Sequence, residues 1–372
     1  MDGLFVQKHA EAVNLYCEAK VLYVYADTHI RAFEIVDRKH NDLNEIIVYY
    51  PAKASTNVFC KLLKTWNYVR AYWKGYKYIT EKGYSPDIVH VNVLTRTGFI
   101  AYLHKKWKGV PYVLTEHWTR YLPQNFGYKG FLRKRITELV VRNASAVMPV
   151  SESLQQAMQG HRLHNAHYTV VNNVVDDFFF DERVVSHREK KRILHISCFI
   201  ERAKNVCGML RAVQALSKQR TDFELIIIGD GPDFDTVSAY ARTLDYPPNT
   251  VSFVGEQTPH EVANWFGDSD FFAMFSNYEN SPVVISESLA SGKPVISSDV
   301  GGISEHINAT NGFLVAAGDE AALLDKMNYL LEHFHAYDAG AIKAVAQEKF
   351  SYKNVGKKIY GIYLQTFYYH TI

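Results

Sequence analysis

Two hydrophobic patterns alternate along this chain. Short apolar runs of four or five residues are separated by longer stretches whose apolar positions recur every three to four residues. In the first half, the runs at 21–25, 45–49, 88–91, 112–115 and 146–150 predict strands, and 4–19, 57–82, 97–108, 129–142 and 151–159 predict helices. In the second half, strands are predicted at 193–197, 224–228, 251–254, 271–275 and 294–297, with helices near 205–218, 232–243, 259–266, 282–291 and 319–333. Apolar runs without polar alternation fit strands covered on both faces of a parallel sheet, and strand–helix–strand order fits right-handed crossovers. The expected fold class is therefore α/β, with two Rossmann-like, doubly wound parallel-sheet domains over residues 1–180 and 184–350. A charge-rich stretch, Asp181 to Arg192, reads as the linker, and the aromatic tail reads as a helix whose part 355–372 returns to the first domain. Two such sheets facing each other leave a cleft at the carboxyl ends of their strands, where ligands bind.

Composition narrows the class. Of 372 residues, 47% are hydrophobic and 22% charged, which suits large globular cores and excludes a disordered or collagenous chain. No run of about 18 apolar residues predicts a spanning helix, and the start shows no basic-then-apolar leader. Four widely spaced cysteines without a C-x-x-C pair argue against a zinc knuckle or a disulfide framework, so a reducing cytoplasm is expected. Charge divides unevenly. Residues 1–180 hold 23 Lys and Arg against 15 Asp and Glu, and residues 181–372 hold 18 against 24. A basic half beside an acidic half predicts different partners for each: an anionic surface or substrate for the first, and no nucleic acid, since no recognition module is present.

The strongest local chemistry lies between Glu279 and Glu287. A strand ends, a polar loop follows, and a helix begins, with Ser281 as the expected N-cap and Pro282 at the first helical position. The free N–H groups of Val283 and Val284 would face an anion such as a diphosphate. Glu279 and Glu287 are carboxylates placed to accept hydroxyls of a sugar or ribose. Arg202 and Lys204 follow another strand end and suit phosphate oxygens, and Gly229-Asp230-Gly231-Pro232 forms a tight turn at the same edge. No G-x-G-x-x-G dinucleotide fingerprint occurs. Asp268-Ser269-Asp270 precedes a buried strand and reads as a turn, and His161, His164 and His167 fall in a loop, so no metal site is expected.

Taken together, these segments resemble the retaining nucleotide-sugar glycosyltransferases of the GT-B fold, family 4. The resemblance covers nearly the whole chain and is carried by the paired glutamates Glu279 and Glu287, by 286–295 and 301–305, by Ile228 to Pro232, by 251–255, and by Pro149 to Leu154 and 171–176. It implies a metal-independent transferase that moves a sugar from a UDP- or GDP-linked donor, used as a cosubstrate without a further cofactor, to a glycan or lipid-linked acceptor in surface polysaccharide synthesis. Glu279 would then contact the donor sugar, Glu287 the ribose, and Lys204 the diphosphate. Arg202 would stand in for the family arginine, near whose position Cys198 lies, and His117 would face the donor sugar from the first domain. Gly231, Ser281, Val283 and Val284 complete the implied donor site. The family opens on a strand and a glycine-containing loop. Here Gly3 to Ala10 resembles the loop end and the helix after it, and the strand before them is missing, so either the given start is late or the first sheet is expected to lack an edge or central strand.

In 57–82 and 129–142, basic residues interleave with Trp, Tyr and other apolar residues, which predicts either ordinary amphipathic helices or contact with an anionic membrane and a peripheral location on its inner face. Two other functions fit the same fold: a sugar-nucleotide-binding scaffold without turnover, and an epimerase or phosphorylase acting on activated sugars.

Overall fold

A computed structural model describes residues 4–53, 57–94, 96–125, 127–183 and 188–371. Residues 184–187 of the expected linker, and Gly3 of the expected opening loop, lie outside the described residues.

In the first half the elements run α1 (Leu4–Asn14), β1 (Lys20–Asp27), β2 (Glu34–His40), β3 (Leu43–Pro51), α2 (Val58–Glu81), β4 (Val89–Asn92), α3 (Thr97–Lys108), β5 (Tyr112–Glu116), α4 (Phe131–Asn143), β6 (Ala146–Pro149) and α5 (Glu152–Gly160). Local chemistry sets several boundaries. The Asn57 side chain accepts the Cys60 N–H and starts α2, while Gly109, at φ 76°, ends α3 in the left-handed conformation.

These strands form two sheets. One has the order β1-β3-β2, with β1 parallel and β2 antiparallel to β3. The other is the parallel set β4-β5-β6. α2 covers β1 and β3, α3 covers β4 and β5, and Trp73 of α2 stacks on Trp107 of α3 at 5.6 Å. The two sheets therefore lie side by side under one helical layer. On the opposite face, Ala12 and Val13 of α1 pack with Val113, Ala146 and Met148. Among the described residues, neither β1 nor β4 has a second partner strand. The hairpin strand β2 was not expected, because all seven of its residues are exposed and carry no apolar run.

The second half runs β7 (Lys191–Ile196), α6 (Glu201–Lys204), α7 (Val206–Ser217), β8 (Phe223–Ile228), α8 (Phe234–Thr243), β9 (Val251–Gly255), α9 (Pro259–Gly267), β10 (Phe271–Met274), α10 (Val283–Ala290), β11 (Val295–Ser298), β12 (Gly312–Val315), α11 (Glu320–His333), α12 (Ala339–Phe350) and α13 (Tyr352–Thr371). All six strands pair in parallel in the order β12-β11-β10-β7-β8-β9. Two buried clusters cover its faces, one around Phe223, Phe271 and Leu330, the other around Phe266, Phe272 and Ile285. A capping box between Thr258 and Glu261, with Pro259 in the first turn, starts α9. The short strand β12 and the helix α12 were missed from sequence.

α13 leaves the second half and packs on α1, where Tyr16 stacks on Tyr360 at 5.9 Å and Val355, Ile359 and Ile362 join the cluster with Val13. The chain thus passes between the halves twice, through 171–192 and through 350–352. The fold is the two-domain GT-B architecture, with the strands of the first domain divided between two ladders of three.

Candidate active site

The loops at the carboxyl ends of β7, β8, β10 and β11 meet on one edge of the six-stranded sheet. At its centre Lys204 Nζ lies 2.5 Å from Glu279 Oε1, and Ser276 Oγ donates to the same oxygen at 2.8 Å. Both partners are mostly buried. The backbone holds this pair in place, because the Asn277 N–H donates to the Ala203 carbonyl and the Asn277 amide donates to the Arg202 carbonyl. These two bonds tie α6 to the loop before α10.

The expected cap of α10 is corrected by one residue. Pro282, not Ser281, occupies the cap position, with ψ 119°, and the helix starts at Val283. A proline ring fixes φ but offers no side-chain acceptor, so no side chain caps this helix. The Ser281 carbonyl instead accepts from the Asn173 amide of the crossing segment at 3.3 Å. The N–H groups of Val283 and Val284 remain without a side-chain cap, at the positive end of the helix dipole.

Glu287 stands one turn further in. Burial pushes its carboxyl up to about 7, Lys8 pulls it down, and Asp176 pushes it up. Lys8 and Asp176 pair at 2.9 Å, and the Tyr352 hydroxyl donates to Asp176 at 2.9 Å. Glu287 thus borders a network that joins α1, the crossing segment and α13.

Gly231 sits where a Cβ would come within 1.9 Å of the Cys198 carbonyl. Only glycine lets the turn after β8 press against the loop after β7, so its evident role is to shape the edge. Gly301, at φ 59°, is confined in the same way by the Glu279 carbonyl. Asp268 and Asp270 are occupied by Arg188 and Arg192. Among the described residues, no group of three His, Cys, Asp or Glu side chains is placed to hold a metal ion.

The first half contributes His117, directly after β5. The ring is buried, with Nε2 3.4 Å from Asn92 Oδ1, Phe5 at 4.4 Å and His9 at 5.3 Å between ring centroids. Burial, followed by the nearby His9, holds it neutral, well below the usual histidine range. Glu116 fixes its backbone: one buried carboxylate accepts the N–H groups of His117 (3.0 Å), Trp118 (2.9 Å) and Leu94 (3.2 Å).

Residues not anticipated from sequence join the halves. The Asn280 amide donates to the His117 carbonyl at 2.8 Å and accepts from Ser151 Oγ at 3.0 Å. Glu305 accepts the Glu152 and Ser153 N–H groups at 2.8 and 2.9 Å, so an acid of the second half caps α5 of the first. The signal was in the sequence, in Ser151-Glu152 at a helix start and Glu305 after a glycine pair, but which chain segment supplies a cap depends on tertiary contact. Arg202 differs from Lys204. Its side chain is exposed at the cleft rim and lines a cavity of about 390 Å³ with Gln124, Asn125, Gly127 and Tyr278.

Comparison with known proteins accords with this geometry. Residues 190–333 match a family model described as glycosyl transferases group 1, and residues 48–174 match the glycosyl transferase 4-like domain. The chain belongs to the group 1 glycosyl transferases. Among curated proteins it is similar to the N-acetyl-alpha-D-glucosaminyl L-malate synthase of Bacillus anthracis, 29% identical over 66% of this chain and 65% of that protein. It is also similar to a putative glycosyltransferase, EpsF, of Bacillus subtilis, 28% identical over 61% and 60%. The chain spans just under two thirds of the length of these relatives. Among solved structures, sucrose-phosphate synthase from Thermosynechococcus elongatus aligns over 98% of this chain and 93% of its own, with a TM-score of 0.73 at 16% identity. Anabaena HepE, solved in complex with UDP, aligns over 85% and 92%, with a TM-score of 0.67 at 17% identity. These likenesses establish the fold.

Proposed function

We propose that the chain is a retaining glycosyltransferase that moves a sugar from a nucleoside-diphosphate donor to a glycan or lipid-linked acceptor, without a metal ion. The observation that carries this reading is the Lys204–Glu279 pair at the foot of an uncapped helix. Cleaving the bond between sugar and diphosphate leaves negative charge on the diphosphate. Lys204 and the N–H groups of Val283 and Val284 supply fixed positive charge there, which stabilises the transition state without reorganisation. Glu279 accepts hydroxyls of the donor sugar, Glu287 accepts those of the ribose, and neutral His117 faces the sugar from the other half. UDP is the first donor nucleotide to test, since HepE was solved with UDP and with UDP-glucose. Closure of the halves over the donor limits hydrolysis by excluding water.

The acceptor side supports a membrane-bound substrate. Phe59, Leu62, Leu63 and Trp66 follow helical spacing on the exposed first turns of α2, beside exposed Lys61 and Lys64. Phe131 and Leu132 are exposed in the first turn of α4, next to Arg133, Lys134 and Arg135. Both helices follow strands of the first half, α2 after β3 and α4 after β5. Apolar and basic residues so placed suit the interface of an anionic bilayer, with the chain peripheral on the inner face of the membrane. Among the described residues, no helix is long and apolar enough to cross a membrane.

One observation favours a scaffold instead: Phe5 and His9 cover His117, so a donor sugar reaches the ring only if the first turn of α1 shifts. The deciding experiment titrates the chain with UDP-, GDP-, ADP- and dTDP-sugars and follows both binding and slow hydrolysis. Saturable hydrolysis of one donor, lost in Lys204→Ala and Glu287→Ala, is the expected result. Binding without hydrolysis supports the scaffold, and no binding of any donor overturns both.

A further inference from the structure

The cavity at the cleft rim is assigned no role by the donor chemistry. Its volume is about 390 Å³ and it is built from both halves: Gln124, Asn125 and Gly127 from the segment between β5 and α4, Arg202 from α6 and Tyr278 from the loop after β10. It adjoins the proposed reaction centre, because Tyr278 precedes Glu279 and Arg202 lies two residues before Lys204. Among the described residues, no carboxylate lines it.

Three of its polar side chains, those of Arg202, Gln124 and Tyr278, are unspent among the described residues. Arg183, Arg188, Arg192, Arg211 and Arg220 of the second half all bond carboxylates or carbonyls. The Arg202 guanidinium, the Gln124 amide and the Tyr278 hydroxyl bond none of the described residues. The Asn125 side chain, by contrast, is used to shape the loop, accepting the Gly127 N–H at 3.0 Å and donating to Thr119 Oγ1 at 3.2 Å. The surroundings are basic as well: Arg133 reaches the Gly127 carbonyl at 3.5 Å, and the exposed Lys129 and Lys134 flank it in sequence. A charged five-donor fork that lines a polar cavity together with neutral donors, and bonds none of the described residues, matches a phosphate or carboxylate oxygen set.

We propose that this cavity is an acceptor subsite for an anionic group, a phosphate or carboxylate carried by the acceptor, and that Arg202 reads that charge rather than the donor diphosphate. The subsite rests on the transferase reading, but it separates from it experimentally. Lys204 and α10 serve the donor on one side of Glu279, and Arg202 serves the acceptor on the other. An anionic acceptor also fits the excess of positive charge in the first half.

The test is calorimetric titration of the full chain with inorganic phosphate and with glycerol 3-phosphate, first alone and then in saturating UDP. The expected result is a second anion site that persists when UDP is bound and weakens at least about tenfold in Arg202→Ala, with partial recovery in Arg202→Lys. Gln124→Ala weakens it by a smaller factor. A flotation arm with vesicles of phosphatidylglycerol separates an acceptor phosphate from a lipid headgroup: lipid binding that falls in Arg202→Ala, without any effect on soluble phosphate, assigns Arg202 to the bilayer and overturns the subsite. Two further results overturn it. One is phosphate binding that UDP abolishes. The other is a fall of UDP affinity in Arg202→Ala as large as the fall for phosphate, which returns Arg202 to the donor. If UDP itself does not bind, the donor reading fails, while the Arg202 comparison is still read on the nucleotide-free chain.

Discussion

The two halves use the same alternation of strand and helix and arrive at different sheets. In the second half six strands form one parallel ladder, and β7 is bonded on one side to β8 and on the other to β10. In the first half six strands form two ladders of three, and β1 and β4 each keep a bare edge among the described residues. Burial follows the pairing. Ile193 and Leu194 of β7 are fully buried, whereas Tyr23 and Tyr25 of β1 are 51% and 48% exposed. An apolar run signals a strand, but it does not say how many neighbours the strand will have. The difference teaches where the site is stiff: the proposed donor residues stand on a finished sheet, and the acceptor side is held by two small sheets joined through helices. A buried ladder leaves few polar groups unmet, while a bare edge leaves a row of them.

The largest expected effect tests that contrast directly. Phe272 is fully buried in β10, in a cluster with Phe266 and Met274. Phe272→Ala should cost about 3–5 kcal/mol in urea unfolding, from lost transfer energy and the cavity left behind. Tyr23→Ala in β1 should cost about 1 kcal/mol or less, because half its ring already meets water. Equal costs would mean that the first half is as tightly packed as the second.

Next comes function. Lys204→Ala should lower turnover about 10²- to 10³-fold, the usual size for removing a preorganised donor to developing negative charge. Donor binding measured in parallel separates a loss of transition-state stabilisation from a loss of ground-state affinity. A change of less than tenfold would remove Lys204 from the chemistry.

A third effect depends on pH. The carboxyl of Glu287 is raised from 4.5 to about 7, chiefly by burial. A raised acid holds its proton more tightly folded than unfolded, so this group lowers stability as pH climbs from about 4.5 to about 7, and the penalty is complete above that. At 1.36 kcal/mol per unit, the penalty reaches about 3 kcal/mol at most. Glu287→Gln should therefore melt higher than the parent at pH 8 and match it near pH 4.5. The same gain at both values would trace the effect to packing instead of charge.

How much of this was legible in the sequence depends on whether the signal was local. The apolar runs placed ten of the twelve strands among the described residues, because a buried parallel strand must be apolar along its length. The strand β2 escaped because a hairpin exposed on both sides reads as polar, and β12 because Asn311-Gly312 at its start reads as a turn and leaves only Phe313, Leu314 and Val315 as an apolar run. Glu279, Glu287 and Lys204 were visible as a spacing, and the structure brings Lys204 and Glu279 into contact. The Ser281 cap failed because Pro282 could serve as cap or as first helical residue, and only ψ decides between them. The link from Asn280 to the His117 carbonyl and the reach of Glu305 to α5 span more than 150 positions, and no local pattern encodes such pairs.

The smallest expected effect is the sharpest probe of the bare edge. In a parallel strand, the N–H and C=O of one residue point to one neighbour, and those of the next residue point to the other. In β7 a strand lies on both sides, β8 along its whole length and β10 at Ile193 and Leu194, so the amides of that central stretch should exchange uniformly slowly. Among the described residues β3 is the one strand paired with β1, so alternate amides between Val21 and Ala26 should exchange about tenfold faster than those between them, a difference of about 1.4 kcal/mol. Residue-resolved hydrogen exchange reads this alternation, which a general loosening of the first half would not produce, since loosening speeds both sets together. Uniform protection along β1 would show instead that its free edge is covered in solution, and the contrast between the two halves would then lie in burial alone.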